Sequence, residues 1–209
     1  MRHTDGEWAG YTYRWNTAQT DATRVQGGTT VTYGTQQWIY PSEAECLQCH
    51  TSAAGRSLSI ENGQLNGDFT YPQTGRVANQ IATLRHIGII ASTTPDPSTL
   101  ARYPAPTDVA SGTLNERARA WLHTNCSSCH RPGGGTNVNM DFRYSTAMAA
   151  TNSCNVDPVG GDLGVTGAKR IVPLDATHSL VHLRLNRRGA NQMPPIGSTI
   201  VDSEGAALI

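Results

Sequence analysis

Charge is scarce in this chain, and what there is cancels. Lys and Arg number 16, Asp and Glu number 16, and charged residues make up 15% of 209. A sequence so evenly balanced has no basic excess to meet a phosphate backbone, which argues against nucleic-acid binding. No apolar run is long enough to span a bilayer. The first residues, Met1-Arg2-His3-Thr4-Asp5-Gly6, lack the apolar centre of an export signal. Hydrophobic residues reach only 37%, thin material for the apolar core of a small domain. Gly, Thr, Asn and Pro are plentiful instead, the composition of a loop-rich protein without long exposed helices.

Cysteine is also rare, but its placement is not random. Four of the five cysteines stand in two short runs, Cys46-Leu47-Gln48-Cys49-His50 and Cys126-Ser127-Ser128-Cys129-His130. Each is C-x-x-C-H, the attachment signature of c-type haem. Two thiols at this spacing add to the two vinyl groups of one haem, and the adjacent His offers a nitrogen to the iron. The expected cofactors are therefore two covalently bound haem c groups, held by Cys46, Cys49, His50, Cys126, Cys129 and His130. A four-Cys zinc site is the competing reading; it leaves both His residues without a role. The haem propionates would add up to about four negative charges, making the loaded protein more acidic than its sequence. The fifth thiol, Cys154, reads as a buried thiol, with a bridge to missing sequence or to another chain as alternatives.

Residues 8–40 read as β. Trp8 to Trp15 alternates, Gly27-Gly28 between two strand-like runs signals a hairpin, and Gln36 to Tyr40 is a third strand. Ser42 and Glu45 make a capping box that starts a helix leading into the first C-x-x-C-H. Residues 55–75 read as loop. Val77 to Ile90 reads as a helix, with Val77, Ile81, Leu84 and Ile87 on one face. A Pro/Ser/Thr-rich connector covers 91–112. Thr113 and Glu116 form a second capping box, and the helix it opens runs into Cys126. A short helix is expected near Thr146–Ala150, and a longer one from Thr177 to Arg188. The expected fold is mainly α and loop-rich, with two cytochrome c-like haem domains behind a small antiparallel β segment. The β segment covers 1–40, the first haem domain 41–100 and the second 101–209.

His50 and His130 are the expected proximal ligands. For the second iron the expected sixth ligand is Met193, in a Met-Pro-Pro turn where prolines stiffen the backbone around the thioether. No Met lies between His50 and Cys126, and the one His there is His86, the expected distal ligand of the first iron. His123, Met140, Met148 or an empty sixth position are the alternatives. Met/His ligation would place the second haem at a higher potential than a His/His first haem. Arg131, Arg184, Arg187 and Arg188 are candidates to pair with propionates. His178 and His182 have metal-clamp spacing but no third ligand nearby.

Four segments together carry a resemblance. They are Trp8-Ala9-Gly10-Tyr11-Thr12-Tyr13-Arg14-Trp15-Asn16, then Pro41-Ser42-Glu43-Ala44-Glu45 running into the first C-x-x-C-H, then Leu114-Asn115-Glu116-Arg117-Ala118-Arg119-Ala120-Trp121-Leu122-His123-Thr124-Asn125-Cys126, and Gln192-Met193-Pro194-Pro195. In this order they resemble a bacterial dihaem c-type cytochrome family of the Shewanella type. That family is related to cytochrome modules fused behind quinoprotein sugar-dehydrogenase domains. The resemblance implies a periplasmic or extracellular electron carrier, not an enzyme, whose redox protein partners include a quinoprotein dehydrogenase. It also implies that the chain is a fragment or processed form of a longer precursor. That fits the missing export signal and a helix that has only begun at Val201–Ile209. Two other functions remain open at this point: a dihaem peroxidase-like enzyme, and a subunit of a multihaem wire at the cell surface.

Overall fold

A computed structural model describes residues 1–58 and 60–209. The chain divides into two compact units, Met1–Leu58 with Trp121–Ile209, and Ser59–Ala120. The expected ranges 1–40, 41–100 and 101–209 cut the chain differently, and both C-x-x-C-H runs fall in the first unit.

The first unit opens with two hairpins. Strands β1 (Thr12–Trp15) and β2 (Ala22–Val25) pair antiparallel, with Thr12 opposite Val25. Strands β3 (Thr29–Tyr33) and β4 (Gln36–Tyr40) pair likewise, with Thr29 opposite Tyr40. Gly27-Gly28 therefore links two separate sheets and does not turn a hairpin. Its backbone folds onto the start of helix α1 (Glu43–Cys49). Gly27 N–H donates to Glu43 at 3.2 Å, and a Cβ on Gly28 would stand 3.0 Å from Ser42 N. Both glycines hold positive φ, 74° and 78°, which an L side chain resists.

The second unit holds α2 (Asn62–Leu65), β5 (Asp68–Tyr71), β6 (Arg76–Asn79) and α3 (Gln80–His86). Strands β5 and β6 form a third hairpin, with Asp68 opposite Asn79. The expected loop over 55–75 thus contains a helical turn and a strand, and the expected helix from Val77 begins late. Asn79 is the reason. Its side-chain oxygen accepts from Ala82 N–H at 3.2 Å while its amide donates to Asn66 at 2.9 Å, so the helix is capped there. Val77 is left in a strand, 60% exposed, and only Ile81 of the expected face is fully buried.

Helix α4 (Leu114–Cys126) passes from the second unit into the first. Its expected capping box is present: Glu116 accepts from Thr113 N–H at 2.8 Å, and Thr113 Oγ1 accepts from Glu116 N–H at 3.3 Å. Near Thr146–Ala150 the helical stretch is a 3-10 turn, Met148–Ala150. The expected helix from Thr177 is broken. Asp175 caps a 3-10 turn over Ala176–His178, Ser179 spends its hydroxyl on the Val172 backbone, and α5 spans only Leu180–Leu185. Helix α6 (Ser203–Leu208) ends the chain.

The expectation of a mainly α fold is overturned. Helix accounts for 25% of residues and strand for 16%, and the described strands form three small antiparallel sheets. Most of the chain's β content lies in short hairpins with large side chains left outside, such as Trp15 at 61% and Trp38 at 52% exposure. The core of the first unit is Trp121, Leu122, Met140, Phe142 and Leu185. Burying a large apolar side chain of this kind is worth about 1.5–3 kcal/mol. Among the described residues no helix is long and apolar enough to cross a membrane.

Candidate haem-attachment sites

Helix α1 delivers the first motif. Ser42 accepts from Glu45 N–H at 3.3 Å. Glu45 accepts from the Ser42 N–H and the Ser42 hydroxyl, each at 2.8 Å, and these two bonds hold its carboxyl below the usual range. The helix ends at His50, whose N–H donates to Cys46 O at 3.0 Å. The His50 ring is oriented by a backbone partner, with Nδ1 lying 2.6 Å from Arg56 O. Arg56 returns the contact, its guanidinium donating to His50 O at 3.1 Å. With Nδ1 donating to that carbonyl, Nε2 keeps its lone pair for a metal. A cavity of about 300 Å³ opens here, walled by Gly10, Tyr11, Cys46, His50 and Arg56 among others. A Cβ on Gly10 would stand 2.5 Å from Cys46 Sγ, so the β1 approach leaves the thiol room that no other residue would.

The last turn of α4 delivers the second motif. His130 is 9% exposed, and its ring meets Phe142 edge-on at 5.6 Å. Burial first, and the Arg170 charge second, lower the His130 pKa and favour the neutral imidazole a metal needs. Its Nδ1 is buried without a hydrogen-bond partner among the described residues. Two cavities, of about 310 and 250 Å³, share Cys126, His130, Leu185 and Met193 as wall residues. Cys126 opens onto both, and desolvation pushes its thiol up to about 12.

Met193 thus borders the same two cavities as His130 and Cys126. Its N–H donates to Arg184 O at 3.0 Å, and the Met193–Pro194 peptide is cis. A residue not singled out as a site from sequence holds this loop. The buried Gln192 side chain donates to Pro194 O at 2.8 Å and Ser198 O at 2.9 Å, and accepts from Gly189 N–H at 2.7 Å. Glutamine beside a Met-Pro-Pro turn was the available signal. Arg170 is the other omission. It is buried on the second cavity and donates to the carbonyls of Asn139 and Asn152.

The other candidates are dispersed. His86 closes α3, exposed, in the second unit. His123 is buried, with Nδ1 3.0 Å from Ser127 Oγ. Met140 belongs to the core and also borders the second cavity beside His130. Met148 lies on its 3-10 turn. Arg184 and Arg188 border the paired cavities, whereas Arg187 is exposed. His178 is tied to Asp175 at 2.6 Å. His3 lies with Nε2 2.7 Å from the hydroxyl of Tyr11, a wall residue of the first cavity. Among the described residues no three His, Cys, Asp or Glu side chains converge as a metal-ion cage.

The features at the second site match what a c-type haem demands. Cys126 and Cys129 wall the larger cavity beside His130, whose burial favours the neutral imidazole. A thioether shares the same walls, and the lining is chiefly apolar with arginines at its border. No family model, curated protein or solved structure matches the chain.

Proposed function

We propose that this chain is a dihaem c-type cytochrome that carries electrons between redox proteins in the periplasm or outside the cell. The observation that carries the reading is the sharing of two cavity walls by Cys126, His130 and Met193. Residues from α4 and from the Gln192 loop, distant in sequence, meet as an attachment thiol, an imidazole and a thioether.

A haem at each motif supplies a one-electron iron couple. The chain's own residues set where that couple sits and how it is tuned. Cys46 and Cys49 tether one group, and Cys126 and Cys129 the other. Arg56 O fixes the tautomer of His50, leaving Nε2 as the ligating nitrogen. Burial keeps His130 neutral, and Phe142 bounds its ring. Met193 as a ligand there would raise the potential of the second site. Arg184 and Arg188 lie where propionates would find cations. The expected partners are redox proteins, a quinoprotein dehydrogenase among the donors.

Low-temperature spin-state spectra of the wild type beside His86→Ala and Met193→Ala test this assignment. Two low-spin ferric sites in the wild type, with a methionine–iron charge-transfer band lost only in Met193→Ala, are expected. A wild type without that band contradicts the second-site ligand set. One observation favours a peroxidase-like second reading: Tyr11, a wall residue of the first cavity, is hydrogen-bonded to His3 at 2.7 Å. That reading requires a high-spin, peroxide-reactive first haem in the same spectra.

A further inference from the structure

The two attachment motifs are distant in sequence and meet in space. Cys129 Sγ lies 3.9 Å from the carbonyl oxygen of Gln48, inside the first motif. Cys49 of the first motif borders the same cavity as Cys126 and Cys129 of the second. The segment after the second motif makes this approach. A Cβ on Gly135 would stand 2.1 Å from Gln48 O, and one on Gly134 would stand 2.1 Å from Cys129 O. Only glycine permits backbones this close. Gly133, at φ 71°, brings its own position to within 3.5 Å of the Ala53 Cβ. Arg131 fastens the junction. One guanidinium nitrogen donates to Ala53 O at 3.0 Å, just past the first motif, while the others donate to the backbone and hydroxyl of Ser127 in the second.

We infer that Arg131–Gly135 is a buckle that docks the two motifs against each other, so that Cys49 and Cys129 bring the attached edges of two haems together as one electronically coupled pair. The inference rests on the dihaem reading and adds to it. Two attachment motifs in one chain do not require neighbouring haems. The adjoining second cysteines do, because each carries a thioether bridge at the rim of its own ring. Exchange within the pair moves one electron, oxidising one ferrous iron as the other, ferric, is reduced, with no bond made or broken. A one-electron donor protein and a one-electron acceptor protein complete the circuit.

Circular dichroism in the Soret region reads the coupling directly, because two neighbouring porphyrins give a two-signed couplet that isolated ones do not. The holoprotein is compared with Cys46→Ala/Cys49→Ala and with Cys126→Ala/Cys129→Ala, each retaining one haem. The expected wild-type spectrum is a couplet absent from both single-haem proteins and from their sum. A wild-type spectrum equal to that sum overturns the inference while leaving the dihaem reading intact. A preparation with no Soret band at all removes the dihaem reading itself. In Gly135→Ala, with both haems still present by mass, the couplet should shrink; an unchanged couplet speaks against the buckle.

Discussion

The Trp121 indole donates to the Asp202 carboxylate at 2.9 Å, and this bond ties the helix that carries the second C-x-x-C-H run to the last helix of the chain. Trp121 lies on α4, one turn and a half before Cys126, and Asp202 caps α6 by accepting from Gly205 N–H at 2.9 Å. Both residues also border the larger of the paired cavities. Gly205 lets the helices meet: a Cβ there would stand 2.2 Å from the indole nitrogen.

Gly205→Ala should therefore cost stability by overpacking, by about 1–3 kcal/mol. Thermal melting of the holoprotein checks this. An unchanged melting temperature would mean that α6 does not depend on this contact.

Met193 and Met140 both border the cavity beside His130, and they should behave oppositely when changed to leucine. Met193→Leu is expected to abolish the methionine–iron band and to lower the potential of the second haem. Met140→Leu swaps one core residue for another of similar volume. It should cost less than about 1.5 kcal/mol and leave the band in place. Spectra and a redox titration of the two variants decide which sulfur faces the iron.

Gln192→Ala removes three hydrogen bonds from the loop that carries Met193. Leaving the Gly189 N–H and two carbonyls without this partner should cost about 1–3 kcal/mol where they stay buried. We expect Met193 to dissociate from iron more often. Added imidazole should then displace it at roughly tenfold lower concentration, the equivalent of about 1.4 kcal/mol. Equal imidazole affinity in variant and wild type would remove Gln192 from the positioning role.

Asp141 links stability to acid. Arg143, bonded to it at 2.9 and 3.2 Å through Nε, lowers its pKa to about 2. An unfolded Asp titrates near about 3.9. The folded value is the lower one, so the contribution is fully present above the unfolded pKa and is lost as pH falls from about 4 toward about 2. Half the pair is exposed, so salt should weaken the effect. Melting temperatures measured across that window should fall less steeply for Asp141→Asn than for the wild type; parallel curves would contradict the linkage.

Local chemistry was readable from the residues. Both capping boxes, at Ser42–Glu45 and Thr113–Glu116, are where short-range hydrogen bonding puts them, and α4 ends in its Cys126 as expected. Competition between local patterns was not readable. Val77, Ile81, Leu84 and Ile87 have helical spacing, yet Asn79 caps the helix behind Val77 because Asn66, far along the chain, holds its amide. In the same way Gly27-Gly28 has hairpin chemistry and instead turns the chain from one sheet to the next, where Glu43 accepts its N–H. The candidate site divides along the same line. Cys126, His130 and Met193, singled out by spacing and turn residues, wall shared cavities. Gln192, which holds the Met193 loop, and Arg131, which spans the two motifs, act through backbone carbonyls. Partners of that kind are set by the folded backbone, and only the glutamine beside a Met-Pro-Pro turn offered a local cue.

The central claim is that two haems are covalently tethered, one at each C-x-x-C-H. Intact-mass spectrometry of the chain, produced in cells that attach haem to exported cytochromes, tests it most directly. The account predicts a mass greater than that of the polypeptide by two haem groups. It predicts the loss of one group in Cys46→Ala/Cys49→Ala and of the other in Cys126→Ala/Cys129→Ala. A mass equal to the bare polypeptide, from cells that load a control cytochrome normally, contradicts it.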